Sequence, residues 1–135
     1  PDWSGRWRTI EVQVGQLHTP LPHGVAGHMR NYYADLAARW PAAADSVSEL
    51  TLELLAFAEG RFLTVHPFRD FNGRTIRLFL LELLRRLDLP RVVLATDSPD
   101  EKAAYFAALE AAARRDLQPL IDVWRTRFSH PTLEA

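Results

Sequence analysis

The apolar positions change period along the chain. Over residues 7–14 they alternate, with Ile10, Val12 and Val14 on one side and Thr9, Glu11 and Gln13 on the other, which predicts a half-exposed strand. Gly15 and Gln16 supply a turn, and Leu17, His18 and Thr19 a short return before Pro20 and Pro22 end any pairing. A small β-hairpin over residues 7–20 is expected. Beyond it the period becomes helical: Val25, Met29, Tyr32, Leu36 and Trp40 predict a helix over residues 23–40, which Pro41 stops. Ser46 and Glu49 have capping-box spacing, and Val47, Leu50, Leu54, Phe57 and Ala58 carry the next apolar face to Val65. The run 75–87 is apolar nearly all round, which predicts a central helix starting near Asn72. Ser98, Pro99 and Glu101 open a helix to residue 115, and Asp116 caps a last one through Trp124 and Phe128. The expected fold is mainly α, a bundle around one central apolar helix with one small β-hairpin near the N-terminus.

Composition narrows the function. A chain of 135 residues, 47% hydrophobic, has room for one core. Sixteen Lys and Arg against seventeen Asp and Glu give no basic field, so neither nucleic acid nor a membrane surface is an expected partner. Without cysteine there is no thiol chemistry or thiolate metal site. No apolar run is long enough to span a bilayer and no signal-peptide pattern opens the chain, so a cytoplasmic location is expected, with delivery into another cell left open. The first residue is Pro1, and the sequence is read as an excised core of a longer protein.

The start of the apolar helix is crowded with polar groups. Residues 66–77 read HPFRDFNGRTIR. A helix N-terminus offers N–H groups without intrahelical partners and a partial positive charge, so it receives anions. Gly73 admits a ligand close to the main chain, and the Asn72 side chain adds a donor. Arg74 and Arg77 lie one turn apart, and their two guanidinium forks suit a polyphosphate. Asp70 would repel phosphate, but it suits Mg²⁺, which takes one or two carboxylates and completes its shell with phosphate oxygens and water. His66, with an ordinary pKa of about 6.5, can take a proton from a hydroxyl attacking the bound phosphate. Alone, an Asp and an Asn at a helix start form a cap and a lone His is structural; together and in register they point to function. His18, His23 and His28 share no helix face and are not read as a metal site.

The same stretch resembles the signature of the Fic family, HPFx(D/E)GNGRxxR. WRTIEVQVGQLHTPLP resembles the family's flap hairpin and YFAALEAAARRDLQPLI its later helix pair, so the likeness covers residues 5–128. It implies a single Fic domain over residues 1–135, with a flap at 7–20 and a signature loop at 66–77. The implied activity is transfer of AMP from ATP to a Ser, Thr or Tyr hydroxyl of a target protein, releasing pyrophosphate. By resemblance, His66 is the general base and Asp70 holds Mg²⁺ between the α and β phosphates. Asn72, Gly73 and neighbouring amides, that of Phe71 included, form the anion hole; Arg74 and Arg77 hold the β and γ groups, and Thr75 lies in the same nucleotide-contacting stretch. Val14 and Gly15 of the flap border the nucleotide, and the flap main chain docks an extended target segment. Tyr105 aligns with an aromatic that lines the nucleotide pocket, core packing being its competing role.

Two departures bear on the donor. Phe71 stands where the family has Gly or Ala; it can still donate its N–H, but its side chain must lie away from the phosphates and a positive φ would be strained. Ala113 stands where some members carry an Asn near the nucleotide. These leave open UTP, GTP or a phosphocholine carrier as donor, and a domain that binds nucleotide or partner without transfer. Many members are restrained by a glutamate in the pattern (S/T)xxxE(G/N). Glu59 and Gly60 match its end, but Leu55 occupies the hydroxyl position. Restraint is expected from an N-terminal inhibitory helix outside this sequence, from a partner protein, or not at all.

Overall fold

The computed structural model describes residues 2–40 and 46–130. An N-terminal ribbon and a 3-10 turn, Pro22–Gly24, lead into helices α1 (Val25–Arg39), α2 (Glu49–Val65), α3 (Asn72–Arg86), α4 (Pro99–Ala113) and α5 (Gln118–Ser129). Val25, Met29, Tyr32 and Leu36 of α1 are buried, as their spacing predicts. Ser98 caps α4 as expected, its hydroxyl accepting the Glu101 N–H at 3.4 Å. The cap of α2 is Ser48 rather than Ser46: the Ser48 hydroxyl accepts the Thr51 N–H at 3.2 Å, and the Ser46 carbonyl accepts the Thr51 hydroxyl at 2.9 Å. That shift leaves Val47 and Leu50 outside the core, 44% and 53% exposed.

The central helix is α2, which corrects the expectation for α3. Helix α2 packs against α1, α3, α4 and α5, whereas α3 packs among the described helices only against α2. Leu78 of α3 is 70% exposed. The reason lies in side-chain size. Ala56, Ala58 and Gly60 let neighbours approach α2 closely, and a Cβ on Gly60 would stand 2.9 Å from the Ala112 Cβ and 3.1 Å from Leu120 Cδ2. Helix α3 instead carries Arg74, Arg77, Arg85 and Arg86.

Beside Gly60, Glu59 is buried and ties three helices together. Its carboxylate accepts from Trp124 Nε1 at 2.9 Å, from Arg127 Nη1 at 2.8 Å and Nη2 at 3.2 Å, and from the Tyr105 hydroxyl at 2.5 Å. Arg127 also donates to the Leu94 carbonyl at 3.2 Å and lies over the Trp124 and Tyr105 rings. Desolvation of this pair is compensated on every side.

The expected hairpin does not form strands among the described residues. The ribbon has one antiparallel bridge, Val14 to Leu17, with the Leu17 N–H donating to the Val14 carbonyl at 2.8 Å. Side chains take the place of a ladder. The Thr19 hydroxyl donates to the Val12 carbonyl at 2.8 Å, and the Arg8 guanidinium to the Ile10 and Pro20 carbonyls at 2.9 and 2.6 Å. Pro20 and Pro22 have no N–H to offer a partner strand.

Glu59→Ala leaves Arg127 buried without its anion, and a loss of about 3–5 kcal/mol is expected in urea unfolding. Gly60→Ala, which adds a methyl where Ala112 already sits, is expected to cost about 1–3 kcal/mol in the same measurement.

Candidate anion site at the start of helix α3

Helix α2 ends at His66, whose backbone is left-handed (φ 51°, ψ 62°) and whose N–H donates to the Phe62 carbonyl at 2.8 Å. Five residues on, Phe71 is also left-handed (φ 63°, ψ 21°) and precedes α3. Each such residue costs about 1–3 kcal/mol and persists only where its surroundings enforce it. Here they do. The Asn72 side chain closes the loop in both directions, Oδ1 accepting the Phe68 N–H at 2.9 Å and Nδ2 donating to the Phe68 carbonyl at 2.8 Å. Asp70 Oδ1 accepts the Phe71 N–H at 2.8 Å, and the Thr75 hydroxyl and N–H both donate to the Phe71 carbonyl at 2.9 Å.

Arg8 holds the other side of the loop. Its Nε donates to the His66 carbonyl at 2.7 Å and Nη2 to the Val65 carbonyl at 3.1 Å, where α2 leaves carbonyls without helical partners. The same guanidinium holds Ile10 and Pro20, on the two limbs of the ribbon, and the Arg8 N–H donates to the Pro67 carbonyl at 2.8 Å. Arg8 is 3% exposed. Trp7 packs on Phe68, which packs on Phe62 of α2. The alternating pattern therefore points inward at residue 8 with a charged side chain, which periodicity of apolar residues does not detect. A signal was present: an arginine two residues before Ile10 on the same side of the ribbon.

The first helical bond of α3 that reaches back to the loop is donated by Thr75, so the N–H groups of Asn72, Gly73 and Arg74 open at the helix end. Arg77 Nη1 lies 3.5 Å from where a Cβ on Gly73 would stand, folded back over that end. The short connection from α2 to α3 thus carries His66 and Asp70 ahead of the helix end where Gly73 and Arg77 lie together. Three expectations are corrected. The Asn72 side chain is buried and bonded to Phe68, so its contribution to the seat is its N–H alone. The Phe71 N–H is held by Asp70, and the Thr75 hydroxyl by the Phe71 carbonyl.

His66 is half-buried, and its Nδ1 is buried without a hydrogen-bond partner of normal geometry. Burial lowers its pKa below the ordinary 6.5; the Leu63 carbonyl opposes the fall, Arg8 adds to it, and Asp70 opposes it. Burial thus favours the uncharged ring.

Other predicted site residues fall elsewhere. Val14 and Gly15 form the tight turn of the flap, with Gly15 at φ 55° and its carbonyl accepting from Gln13 Nε2 at 2.9 Å. Tyr105 is turned to Glu59, and burial together with that carboxylate raises its pKa, so it stays a protonated donor in the core. Its neighbour Phe106 is the aromatic that α4 exposes, at 55%. Helix α4 makes no packing contact with α3. Glu59 is likewise a core residue, not an inhibitory glutamate. A cleft of about 760 Å³ lies between residues 93–96, α4 and α5, with Tyr105 and Arg127 in its wall, and none of residues 66–77 lines it.

This geometry defines a helical domain with open N–H groups at one helix N-terminus, one loop after a half-buried histidine. A family model described as the Fic/DOC family matches residues 1–84. The chain belongs to the Fic/DOC family. Among curated proteins, Protein adenylyltransferase fic-1 of Caenorhabditis elegans is 31% identical over 121 residues, covering 90% of this chain and 22% of that protein. The Caenorhabditis briggsae protein of the same name is 32% identical over the same shares. Protein adenylyltransferase Fic of Nematostella vectensis is 29% identical over 132 residues, covering 98% of this chain and 29% of that protein. The chain thus spans under a third of the length of these relatives.

In an NMR titration His66 is expected to lose its proton below pH 6.5. Because the folded pKa lies below the unfolded one, its contribution to stability is lost as pH falls through 6.5, where the unfolded chain binds more protons. Arg8→Ala strands buried carbonyls and is expected to cost about 2–3 kcal/mol in thermal or urea unfolding, with Arg8→Lys recovering only part, since an ammonium cannot reach both limbs of the ribbon and α2 as a fork does.

Proposed function

We propose that this domain transfers AMP from ATP to a Ser, Thr or Tyr hydroxyl of a target protein. The observation that carries the reading is the half-buried His66 one loop before the open N–H groups of Asn72, Gly73 and Arg74, with Arg77 folded over Gly73. Those N–H groups bind the α-phosphate oxygens and stabilise the charge that grows there during transfer. His66 Nε2 takes the proton as the target oxygen bonds the α-phosphorus; the bond to the bridging oxygen breaks and pyrophosphate leaves. Arg77, joined by Arg74, holds the outer phosphates. The adenylyltransferase names of the relatives support this donor and reaction.

Asp70 fits Mg²⁺. It is exposed and only its Oδ1 is engaged, by the Phe71 N–H. No group of three His, Asp or Glu able to hold a metal alone occurs among the described residues, so the ion would be shared between Asp70 and the donor's phosphates. Bound there, it would neutralise charge on the phosphates. Main-chain groups of Glu11 and Gln13 make no hydrogen bond among the described residues, which leaves the flap free to dock an extended target segment. With Tyr105 in the core, the exposed Phe106 is the aromatic of α4 with a face to offer a base. No described helix is long and apolar enough to cross a membrane; neither a membrane nor a nucleic acid is part of this reading.

A second donor is favoured by one observation: the Phe71 N–H is held by Asp70, so the seat has one donor fewer than the family signature offers. UTP, GTP and a phosphocholine carrier are the alternatives. Among the labelled donors tried in turn with Mg²⁺, ATP is expected to mark the protein or a target with AMP, and His66→Ala to lower the rate by about 10²–10⁴-fold. Preference for UTP or GTP would change the donor; absence of label from every donor, with ATP still bound, would leave a binding domain without transfer.

A further inference from the structure

Phe71 sits at the mouth of the site with its ring 47% exposed and its backbone left-handed, a conformation that glycine adopts without strain. Two side chains hold that ring. Trp3 stacks on it, with centroids 5.9 Å apart and planes at 28°, and Trp3 is itself fixed by a turn in which its carbonyl accepts the Arg6 N–H at 3.3 Å. The same N-terminal segment is fastened to the loop again by Trp7 on Phe68 and by the Arg8 N–H on the Pro67 carbonyl. On Phe71 also lies Arg74, its guanidinium carbon 5.1 Å from the ring centroid. Arg74 makes no hydrogen bond or ion pair among the described residues, while Arg77 lies over Gly73 at the helix end. The two arginines that the sequence places one turn apart are therefore held differently.

We propose that Phe71 is a positioning residue, a latch that keeps Arg74 on the Phe71 ring until the outer phosphates of a donor draw it onto the anion seat. The inference rests on the nucleotide reading above and deepens it. A guanidinium over an exposed aromatic face is attracted to it, which biases Arg74 toward the ring. Polyphosphate must then compete with the aromatic face for Arg74. A donor without outer phosphates has nothing to gain from that competition. The position that in the family signature is glycine or alanine thus becomes, in this chain, a selector that acts through Arg74 on the phosphate tail of the donor.

The test is Mg-ATP and AMP binding by calorimetry to the wild type, Phe71→Leu, Arg74→Ala and the double variant, with NMR of the Arg74 side-chain Nε–H. Release of the latch in Phe71→Leu is expected to tighten ATP by about two- to fivefold, the scale of an exposed cation–π contact, and to leave AMP unchanged. The gain disappears in the Arg74→Ala background, and Phe71→Tyr, which keeps a ring, restores the wild-type affinity. Trp3→Ala, which unbraces the ring without altering the loop, shifts ATP affinity in the same direction by less. The Arg74 Nε–H carries a ring-current shift in the free protein that ATP removes. If ATP binds the wild type and that signal stays in place, or if Phe71→Leu weakens binding, the latch is overturned while the nucleotide reading stands. If neither wild type nor Phe71→Leu binds ATP, both are overturned together.

Discussion

The five hydrogen bonds of Arg8, four from the guanidinium and one from the backbone, are the constraint on which the site depends. They join the two limbs of a ribbon that has almost no ladder of its own to the end of a helix whose last carbonyls would otherwise be unsatisfied. A cation at a helix C-terminus meets the negative end of the helix dipole, so the position is favourable for charge as well as for hydrogen bonding. Because the partners include Val65, His66 and Pro67, the same residue that shapes the ribbon also fixes the backbone of the proposed base. The ribbon and His66 are in this sense one structure.

That structure rests on a rigid floor. Glu59 and Gly60 let α2 accept α4 and α5 at close range, one through a buried carboxylate with four donors and the other through the absence of a side chain. Among the described helices α3 packs only against α2, and it is braced at its start by the Asn72 clamp on Phe68. Chemistry placed at the junction of α2 and α3 thus sits where the scaffold is best determined, while Phe71, Arg74 and Arg77 at its rim remain exposed. Preorganised donors need not reorganise during transfer, and exposed cations are free to follow a ligand.

The helices and the signature loop were legible because their signals are local. Apolar spacing, caps such as Ser98, and the joint presence of His66, Asp70, Gly73 and Arg77 within twelve residues all act at short range along the chain. What could not be read depends on partners far away in sequence. Arg8 and His66 are 58 positions apart, and Tyr105 and Glu59 are 46 apart. Apolar periodicity is silent on a buried arginine at residue 8 and on the four carbonyls that meet it there. The hairpin was expected because alternation predicts an extended chain, but extension does not require a ladder when side chains satisfy the carbonyls. Helix α3 was judged central by its leucines, yet α2 wins that place through its small residues, which lower its apparent apolar bulk and raise the number of neighbours it can hold. Phe71 raised the right question in the sequence; only the contacts with Trp3, Arg74 and Asp70 show how a bulky left-handed residue is accommodated.

On the proposed function, the donor's phosphates are received at the start of α3 rather than in the cleft beside α4 and α5. Backbone amide NMR during titration with Mg-ATP tests it directly. The largest downfield shifts are predicted at the N–H groups of Asn72, Gly73 and Arg74, which face the seat, with the His66 ring signals moving alongside. Shifts concentrated instead on Leu94, Ala104, Val123 and Thr126, which line the cleft, with the three α3 amides unmoved, would contradict the account.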